Sequence, residues 1–378
     1  MPDADHSRYD FKKKTSWREA PFLLIKGFLM GSADIVPGVS GGTMALIVGI
    51  YTRLINAIRS FDLGFVKSLF TFRFREALEE VDWKFMLLLL SGMACAVLFF
   101  TKVVPLQVFM FTDPELIYGL FFGLIVGSIV VLARAIDGFD WTHGLSLIAG
   151  ALVGFWVVNL VPTATPESPI FVLLTGSIAI CAMILPGISG SYILLIMRKY
   201  DFVLSQIGKL GTAETASGLI TLIPFGIGAV FGLALFSRIL SWLLDRYEAR
   251  TLALLIGFLI GSLYVIWPYQ DRTYAEIITK EEVIAYDSAE ARELRAAPPN
   301  KQQPKFQRLG KVVNPDAELV QRKKVELQTV KQKLIKSDPY VPYLTVEGPR
   351  TNHFMDGIWG VLVGLVMVVG LDYLRAKE

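Results

Sequence analysis

The sequence has little charge and few cysteines. Only 19% of its 378 residues are charged, whereas 53% are hydrophobic, and the mean hydropathy is +0.51. Such a composition, with several apolar runs near the length that spans a bilayer, predicts a polytopic membrane protein. The two cysteines, Cys95 and Cys181, both lie inside apolar runs. They offer no disulfide or metal framework, and we expect neither a metal nor a cofactor.

Histidine is also scarce, which weakens any catalytic interpretation. Gly38-Val39-Ser40-Gly41-Gly42 matches the nucleophile-elbow pattern G-x-S-x-G, but no strand precedes it. A nucleophilic serine needs a base, and the three histidines are His6, His143 and His353. The last two stand just before apolar runs, where a structural role is favoured. We therefore expect no enzyme, and an intramembrane lipid phosphatase or hydrolase that uses Ser40 is kept as the second alternative.

The N-terminal segment lacks the features of a signal peptide. Residues 1–21 are polar and include Lys12, Lys13, Lys14 and Arg18, with neither a short apolar core nor a small-residue cleavage site. We expect residues 1–21 to be a cytoplasmic segment that is not cleaved.

Long apolar runs are what the sequence has in abundance. Six of them predict ordinary transmembrane helices. They are residues 85–104, 116–135, 144–161, 219–240, 251–267 and 358–374. Two further runs, residues 22–50 and 170–197, are interrupted by Pro37 and Pro186.

The two interruptions repeat one motif. Ile35-Val-Pro-Gly-Val-Ser-Gly-Gly-Thr43, the first tip, returns as Ile184-Leu-Pro-Gly-Ile-Ser-Gly-Ser-Tyr192, the second tip, and their prolines are 149 residues apart. Proline removes a backbone donor and clashes with the preceding turn, so a helix breaks there. In a membrane such a break is tolerated only where it is buried in protein or lines a wet cavity. Broken helices at corresponding positions of two halves indicate a transporter's binding site.

Other segments extend the repeat. Gly123-Leu-Ile-Val-Gly127-Ser matches Gly257-Phe-Leu-Ile-Gly261-Ser, and Gly150-Ala-Leu-Val-Gly154 matches Gly360-Val-Leu-Val-Gly364. The glycines spaced by four, with Gly228 and Gly232, predict close packing of helix backbones.

These repeats predict an all-α fold with two copies of a re-entrant helical hairpin followed by three spans. Basic residues flank both ends of residues 22–50, so the hairpin should enter and leave by the cytoplasmic face, although a kinked full span is the alternative. Three crossings per copy make the repeat inverted. The predicted domains are repeat 1 at 22–161, the first part of repeat 2 at 170–267, and its last span with a cytoplasmic C-terminus at 353–378.

Residues 268–352 are a polar insertion into the second copy. They contain a proline-rich part at 298–304 and a charged pattern typical of a helix at 316–336. The topology predicts that the insertion lies outside the cytoplasm. It is either a solvated insert or a surface that binds a partner or faces the cell wall.

The tips carry the predicted chemistry. Each offers backbone N–H groups at a new helix start together with hydroxyl groups, and such donors attract an anion, phosphate above all. The predicted phosphate-binding residues are Ser40, Gly41, Gly42, Thr43, Ser189, Gly190 and Ser191. The alternative is that the tips are structural breaks satisfied by each other or by water.

Charged residues within or beside the apolar runs complete the set of candidates. Asp34 precedes the first tip, where the second copy has Met183. An acid at membrane depth is a functional candidate, here either a proton carrier or a hydrogen-bond anchor for the broken helix. Four basic residues either extend to the headgroups or guide a phosphate toward the tips. They are Lys26, Arg53, Lys199 and Arg238.

The motifs resemble those of the PopT-type polyprenyl-phosphate transporters. The resemblance rests on Gly31-Ser-Ala-Asp-Ile-Val-Pro-Gly-Val-Ser-Gly-Gly-Thr43, on Cys181-Ala-Met-Ile-Leu-Pro-Gly-Ile-Ser-Gly-Ser191 and on Gly261-Ser-Leu263. It implies a flippase that returns undecaprenyl phosphate, the lipid carrier of peptidoglycan precursors, to the inner leaflet of the bacterial cytoplasmic membrane. The implied partners are this lipid and the membrane, with no nucleic acid. From the residues alone, a carrier or channel for a small anion is the first alternative.

Overall fold

The computed structural model describes residues 15–36, 39–61, 63–75, 81–104, 106–160, 162–163, 165–297, 303–313, 323–342 and 353–375. Residues 298–302 of the proline-rich part and 316–322 of the predicted helix lie outside them. So do several residues named above: His6, Lys12, Lys13, Lys14, Pro37 and Gly38. The chain forms two compact units. The first comprises Met1–Val104, Phe121–Ile266 and Leu362–Glu378, and the second comprises Pro105–Leu120 and Trp267–Val361.

Helices make up most of the chain. A single turn of 3-10 helix, Trp17–Glu19, precedes those of the first half, which are α1 Ala20–Asp34, α2 Gly41–Ile47, α3 Tyr51–Arg59, α4 Leu63–Phe70, α5 Trp83–Lys102, α6 Leu106–Thr112, α7 Pro114–Arg134 and α8 Trp141–Val158. Those of the second half are α9 Pro169–Ile184, α10 Gly190–Ile196, α11 Tyr200–Gly208, α12 Thr215–Arg246, α13 Glu248–Ile266, α14 Ala289–Ala296 and α15 Phe354–Arg375.

The order of the helices recurs in the two halves. In both, a broken helix is followed by a seven-residue helix, α2 or α10, and then by a nine-residue helix, α3 or α11. Three longer helices complete each half: α5, α7 and α8 in the first, and α12, α13 and α15 in the second. The recurrence agrees with the repeat predicted from the two proline motifs.

Both predicted breaks are present. α1 ends at Asp34 and α2 begins at Gly41, while α9 ends at Ile184 and α10 begins at Gly190. At the second break Leu185 has ψ 131° because the residue before a proline is pushed out of the helical region. Gly187 then has φ +82°, which residues with a side chain rarely adopt.

Six helices are long and apolar enough to cross a membrane. They are Trp83–Lys102, Pro114–Arg134, Trp141–Val158, Thr215–Arg246, Glu248–Ile266 and Phe354–Tyr373. They overlap the six predicted spans one for one, which confirms a multi-pass membrane protein.

Glycines bring the helices of the first unit into close contact, as their spacing predicts. Gly150 and Gly154 of α8 face α13, and Gly257 and Gly261 of α13 face α8. A Cβ added at Gly261 would lie 2.5 Å from the carbonyl oxygen of Ala151. Because backbone occupies the space of a side chain, no larger residue fits between these helices. Gly228 and Gly232 bring α12 against α9 in the same way.

The second unit contains an antiparallel sheet in the order β1-β3-β2. The strands are β1 Gln270–Ala285, β2 Lys305–Val312 and β3 Lys324–Pro339. β3 pairs with β1 from Gln270↔Pro339 to Ala285↔Lys324, and with β2 from Lys305↔Lys331 to Val312↔Val325.

These strands correct two predictions. The fold is not all-α, and the helix predicted over 316–336 is wrong where the structure describes it, because residues 324–336 lie in β3. Val325 and Leu327 are buried between the less buried polar residues Lys324, Glu326 and Gln328, a period of two that suits a half-buried strand. The frequent charges of this stretch suggested an exposed helix and masked that alternation.

Candidate functional site

The first tip is tied to the end of α9. Ser40 is the N-cap of α2: its hydroxyl accepts a hydrogen bond from the Gly42 N–H at 3.1 Å and donates one to the Met183 carbonyl, also at 3.1 Å. A Cβ at Gly42 would lie 2.6 Å from the Ile184 carbonyl oxygen. Only glycine therefore allows the start of α2 to pack against the end of α9.

Two further hydrogen bonds join the tips. The Gly187 N–H donates to the Thr43 hydroxyl at 2.9 Å, and the Tyr51 hydroxyl donates to the Ile184 carbonyl at 3.1 Å. Thr43 is fully buried and Tyr51 nearly so. The two breaks thus meet in the interior of the first unit, and much of the polar backbone exposed by one break is satisfied by the other.

Asp34, the last residue of α1, contacts the start of α2 at the first tip. Its carboxylate accepts the Gly41 N–H at 2.6 Å, and a Cβ at Gly41 would meet the same carboxylate. The carboxyl oxygen thus lies at the start of α2, where N–H groups lack helical partners and need an acceptor. Asp34 is half-buried in this position. The contact is the one expected of an anchor for the broken helix.

The second tip is built differently at the same point. Met183 replaces Asp34, so this side chain offers no carboxylate for the start of α10, and the N-cap Ser189 makes no capping hydrogen bond with its side chain. Instead, the hydroxyls of Ser189 and Ser191 lie 2.8 Å apart, and Ser191 is exposed. A Cβ at Gly190 would lie 2.6 Å from the Ala179 carbonyl oxygen. Two adjacent hydroxyls that contact each other can also donate to an anionic oxygen.

Arg53 is bound to acidic residues rather than to a tip. Its guanidinium contacts Glu19 at 2.8 Å, Asp82 at 3.4 Å and the Thr15 hydroxyl at 2.7 Å, and lies 4.8 Å from the centre of the Phe85 ring. These contacts fasten α3 to the segment that precedes α1 and to the start of α5. They make Arg53 a structural residue in this conformation.

Lys199 is a buried cation, 2% exposed. Its ammonium donates to the Thr165 carbonyl at 2.9 Å and lies 4.9 Å from the centre of the Phe202 ring. The same loop is held by Thr163, whose N–H donates to Ile196 at 2.9 Å. Lys199 therefore fixes the loop before α9 over the end of α10.

The two remaining basic candidates lie on long helices. Lys26 is half-buried on α1, whereas Arg238 is exposed on α12. A role for either in guiding a phosphate stays a prediction.

Ser40 has the contacts of a capping residue. Both hydrogen bonds given for its hydroxyl go to backbone groups, and His143 is a partner of Asp140 at the start of α8. Among the described residues no imidazole is placed against Ser40, so the nucleophile-elbow match carries no support from this geometry.

The sequence does not show that Tyr51 and Gly187 join the tips. Tyr51 has Tyr200 at the equivalent position of the second copy, which marks it as part of the repeat. That signal reveals a shared position but not the carbonyl group that the hydroxyl contacts. Gly187 is predicted from the sequence only as part of the proline break.

Comparisons with known proteins give a consistent result. Residues 30–284 match the model of a family described as undecaprenyl phosphate translocase-like. A polyprenyl-phosphate transporter of Vibrio cholerae serotype O1 is 40% identical over 247 residues, which cover 65% of this chain and 77% of the relative. A polyprenyl-phosphate transporter of Staphylococcus aureus is 31% identical over 258 residues, covering 65% of this chain and 85% of that relative. No solved structure matches.

Proposed function

The chain belongs to the undecaprenyl phosphate translocase-like family, and we propose that it carries undecaprenyl phosphate across the bacterial cytoplasmic membrane. Transport from the outer to the inner leaflet would return the lipid carrier for peptidoglycan synthesis. The observation that carries the proposal is the family match, because the matched residues include both tips. The six candidate spans and the contact between the two broken helices support it.

We place the phosphate at the second tip. Ser189 and Ser191 offer two hydroxyls side by side, and Gly190 between them brings no side chain into the site. In the first tip the corresponding donors are engaged: Gly41 by Asp34 and Gly42 by Ser40. Ser40, Gly41, Gly42 and Thr43 would therefore support the site from behind in this conformation, and reach the phosphate only if the tips separate.

Asp34 distinguishes the two tips chemically. Its carboxylate is an internal anion at the first tip, and Met183 leaves the second tip without one. A substrate phosphate would then supply the negative charge that the second copy lacks. Proton coupling through Asp34 remains part of the proposal, because protonation would weaken its bond to Gly41 and loosen the first tip.

We propose that the two copies are inverted and that both tips are re-entrant, with the N- and C-termini in the cytoplasm. The recurring order of helices and the two breaks support the repeat. The orientation follows from three crossings per copy. Labelling of single cysteines from either side of the membrane, in a background without Cys95 and Cys181, would test it. Labelling of residues 270–285 and of the C-terminus from the same side would contradict it.

Lipid binding tests the proposed function directly. Purified protein in detergent is mixed with undecaprenyl phosphate and examined by native mass spectrometry, with undecaprenol and inorganic phosphate as competitors. We expect binding of the phosphorylated lipid to survive both competitors and to fall at least about tenfold in Ser189→Ala/Ser191→Ala, since each lost hydrogen bond to a charged group costs about 1.5–3 kcal/mol. Ser205→Ala is the matched control, because that hydroxyl donates to the Phe202 carbonyl in α11.

The other outcomes of this experiment are informative. Full competition by inorganic phosphate would favour a carrier of small anions. Release of phosphate from the lipid, abolished by Ser40→Ala, would favour a membrane hydrolase. Unchanged binding by the Ser189→Ala/Ser191→Ala variant would show that the phosphate does not bind at the second tip.

A further inference from the structure

Arg272 carries a buried nitrogen that lacks a hydrogen-bond partner. It lies near the start of β1 in the second unit, and its Nη2 is the one buried side-chain nitrogen or oxygen without a partner in the part of the chain that the structure describes. Its guanidinium carbon is 4.1 Å from the centre of the Tyr118 ring. Arginine is always charged, and buried polar groups are almost always hydrogen-bonded. An acceptor is therefore missing at this position.

The surroundings of Arg272 are aromatic. Tyr118 is 7% exposed and lies in the second turn of α7, a candidate span. The rings of Phe111 and Tyr274, in the same unit, are 4.7 Å apart. Tyrosine and other aromatic residues concentrate where a membrane meets water. A position among such rings and near the start of a span suits a charged group that meets lipid headgroups.

The last span begins in the same unit. The Tyr269 hydroxyl donates to the Phe354 carbonyl at 2.8 Å, and the Tyr269 ring lies against Phe354. Gly119 of α7 lies so close to Gly357 that a Cβ would be 2.5 Å from its carbonyl oxygen. The first turns of α7 and α15 and the start of β1 thus form one packed group of elements.

We propose that Arg272, stacked on Tyr118, binds the phosphate group of a membrane lipid where α7 and α15 begin. A guanidinium presents paired donors that match the oxygens of a phosphate, and it stacks on aromatic faces while doing so. A lipid phosphate supplies the missing acceptor at the depth where the aromatic rings lie. The site uses residues other than those of the tips, so it does not depend on the place of the phosphate during transport.

A neighbouring arginine in the same sheet provides a matched control. Arg308 of β2 contacts the Glu276 carboxylate at 2.5 Å and donates through Nε to the Gln328 side chain at 3.0 Å. Its charge is balanced within the protein, whereas Nη2 of Arg272 is buried without a hydrogen-bond partner among the described residues. Loss of Arg308 should therefore leave lipid binding unchanged.

The test counts bound lipids by native mass spectrometry of the full chain. The probes are undecaprenyl phosphate, phosphatidylglycerol and inorganic phosphate, and the variants are Arg272→Gln, Arg272→Lys, Tyr118→Leu and Arg308→Gln. The Ser189→Ala/Ser191→Ala variant should still bind lipid at the Arg272 site. Adding Arg272→Gln to this variant should weaken that binding at least about tenfold. Tyr118→Leu should weaken it too, Arg272→Lys should retain part of the affinity, and Arg308→Gln should match its background.

The results separate this site from the tips. A lipid adduct that is lost with Arg272→Gln but kept with Ser189→Ala/Ser191→Ala supports the site even if the tips bind nothing. Preference between the two lipids shows whether a phosphomonoester or a phosphodiester is favoured, and either supports the proposal. The proposed site would be overturned if neither Arg272→Gln nor Tyr118→Leu changed lipid binding. Both variants must have the wild-type elution volume for this comparison. Equal displacement by inorganic phosphate would overturn the assignment to a lipid.

Discussion

Replacing Gly42 by alanine should push the two tips apart. The new Cβ would lie 2.6 Å from the Ile184 carbonyl oxygen and 3.1 Å from that of Met183, whereas ordinary contacts begin at 3.4 Å. The Ile184 carbonyl also accepts the Tyr51 hydroxyl, so its movement would disturb a second hydrogen bond. Relief requires the backbone to shift by about 1 Å, which strains or breaks the bonds from Ser40 and Gly187.

The expected cost follows from these contacts. Overpacking costs about 1–3 kcal/mol and each of the three weakened hydrogen bonds about 0.5–1.5 kcal/mol, so Gly42→Ala should destabilise the protein by about 2.5–7.5 kcal/mol. Thermal unfolding in detergent and lipid transport in liposomes measure the two consequences. Gly226→Ala is the control, because a Cβ there meets nothing within 4 Å and alanine favours a helix. Wild-type stability and transport in Gly42→Ala would refute the contact between the tips.

Substitutions at Asp34 and Arg198 test two other features of the structure. Asp34→Ala should lower stability by about 1–3 kcal/mol because the Gly41 N–H loses its acceptor, while Asp34→Asn keeps an acceptor and should lower it less. If Asp34 also carries protons, Asp34→Asn should remove the dependence of lipid transport in liposomes on a pH gradient, and unaltered dependence would exclude that role. Arg198 has φ +52°, and the first copy has Gly49 at the equivalent position. Arg198→Gly should therefore raise the unfolding temperature, because it relieves about 1 kcal/mol of backbone strain. A lower unfolding temperature would show that the Arg198 side chain stabilises the fold.

The helix break, the spans and the close helix contacts could be predicted from the sequence because each depends on residues close together in the chain. Proline breaks a helix through its own ring and missing N–H, so Pro186 marks a break without knowledge of the fold. The spans follow from length and hydropathy, because a helix in lipid must satisfy its own backbone. Glycines spaced by four indicate close packing, and Gly150 and Gly257 indeed face backbone atoms of each other's helices.

Features that depend on distant partners could not be predicted. The sequence shows Asp34 opposite Met183 in the repeat, but not that the carboxylate takes up the Gly41 N–H. The position of Arg53 beside an apolar run suggests that it contacts lipid headgroups, and only the structure shows that it pairs with Glu19. The helix predicted over 316–336 is wrong over residues 324–336, because strand pairing with β1 and β2, which lie outside the predicted helix, favours an extended chain there.

Exchange of undecaprenyl phosphate between leaflets tests the central claim most directly. Liposomes containing the lipid and the purified protein are treated from outside with a soluble phosphatase, so that only lipid reaching the outer leaflet is cleaved. We expect the wild type and Ser205→Ala to make the inner pool accessible, and Ser189→Ala/Ser191→Ala to leave it protected although the protein is folded. Equal accessibility with this double variant would contradict a phosphate site at the second tip, and an inner pool still protected with the wild type would contradict lipid transport itself.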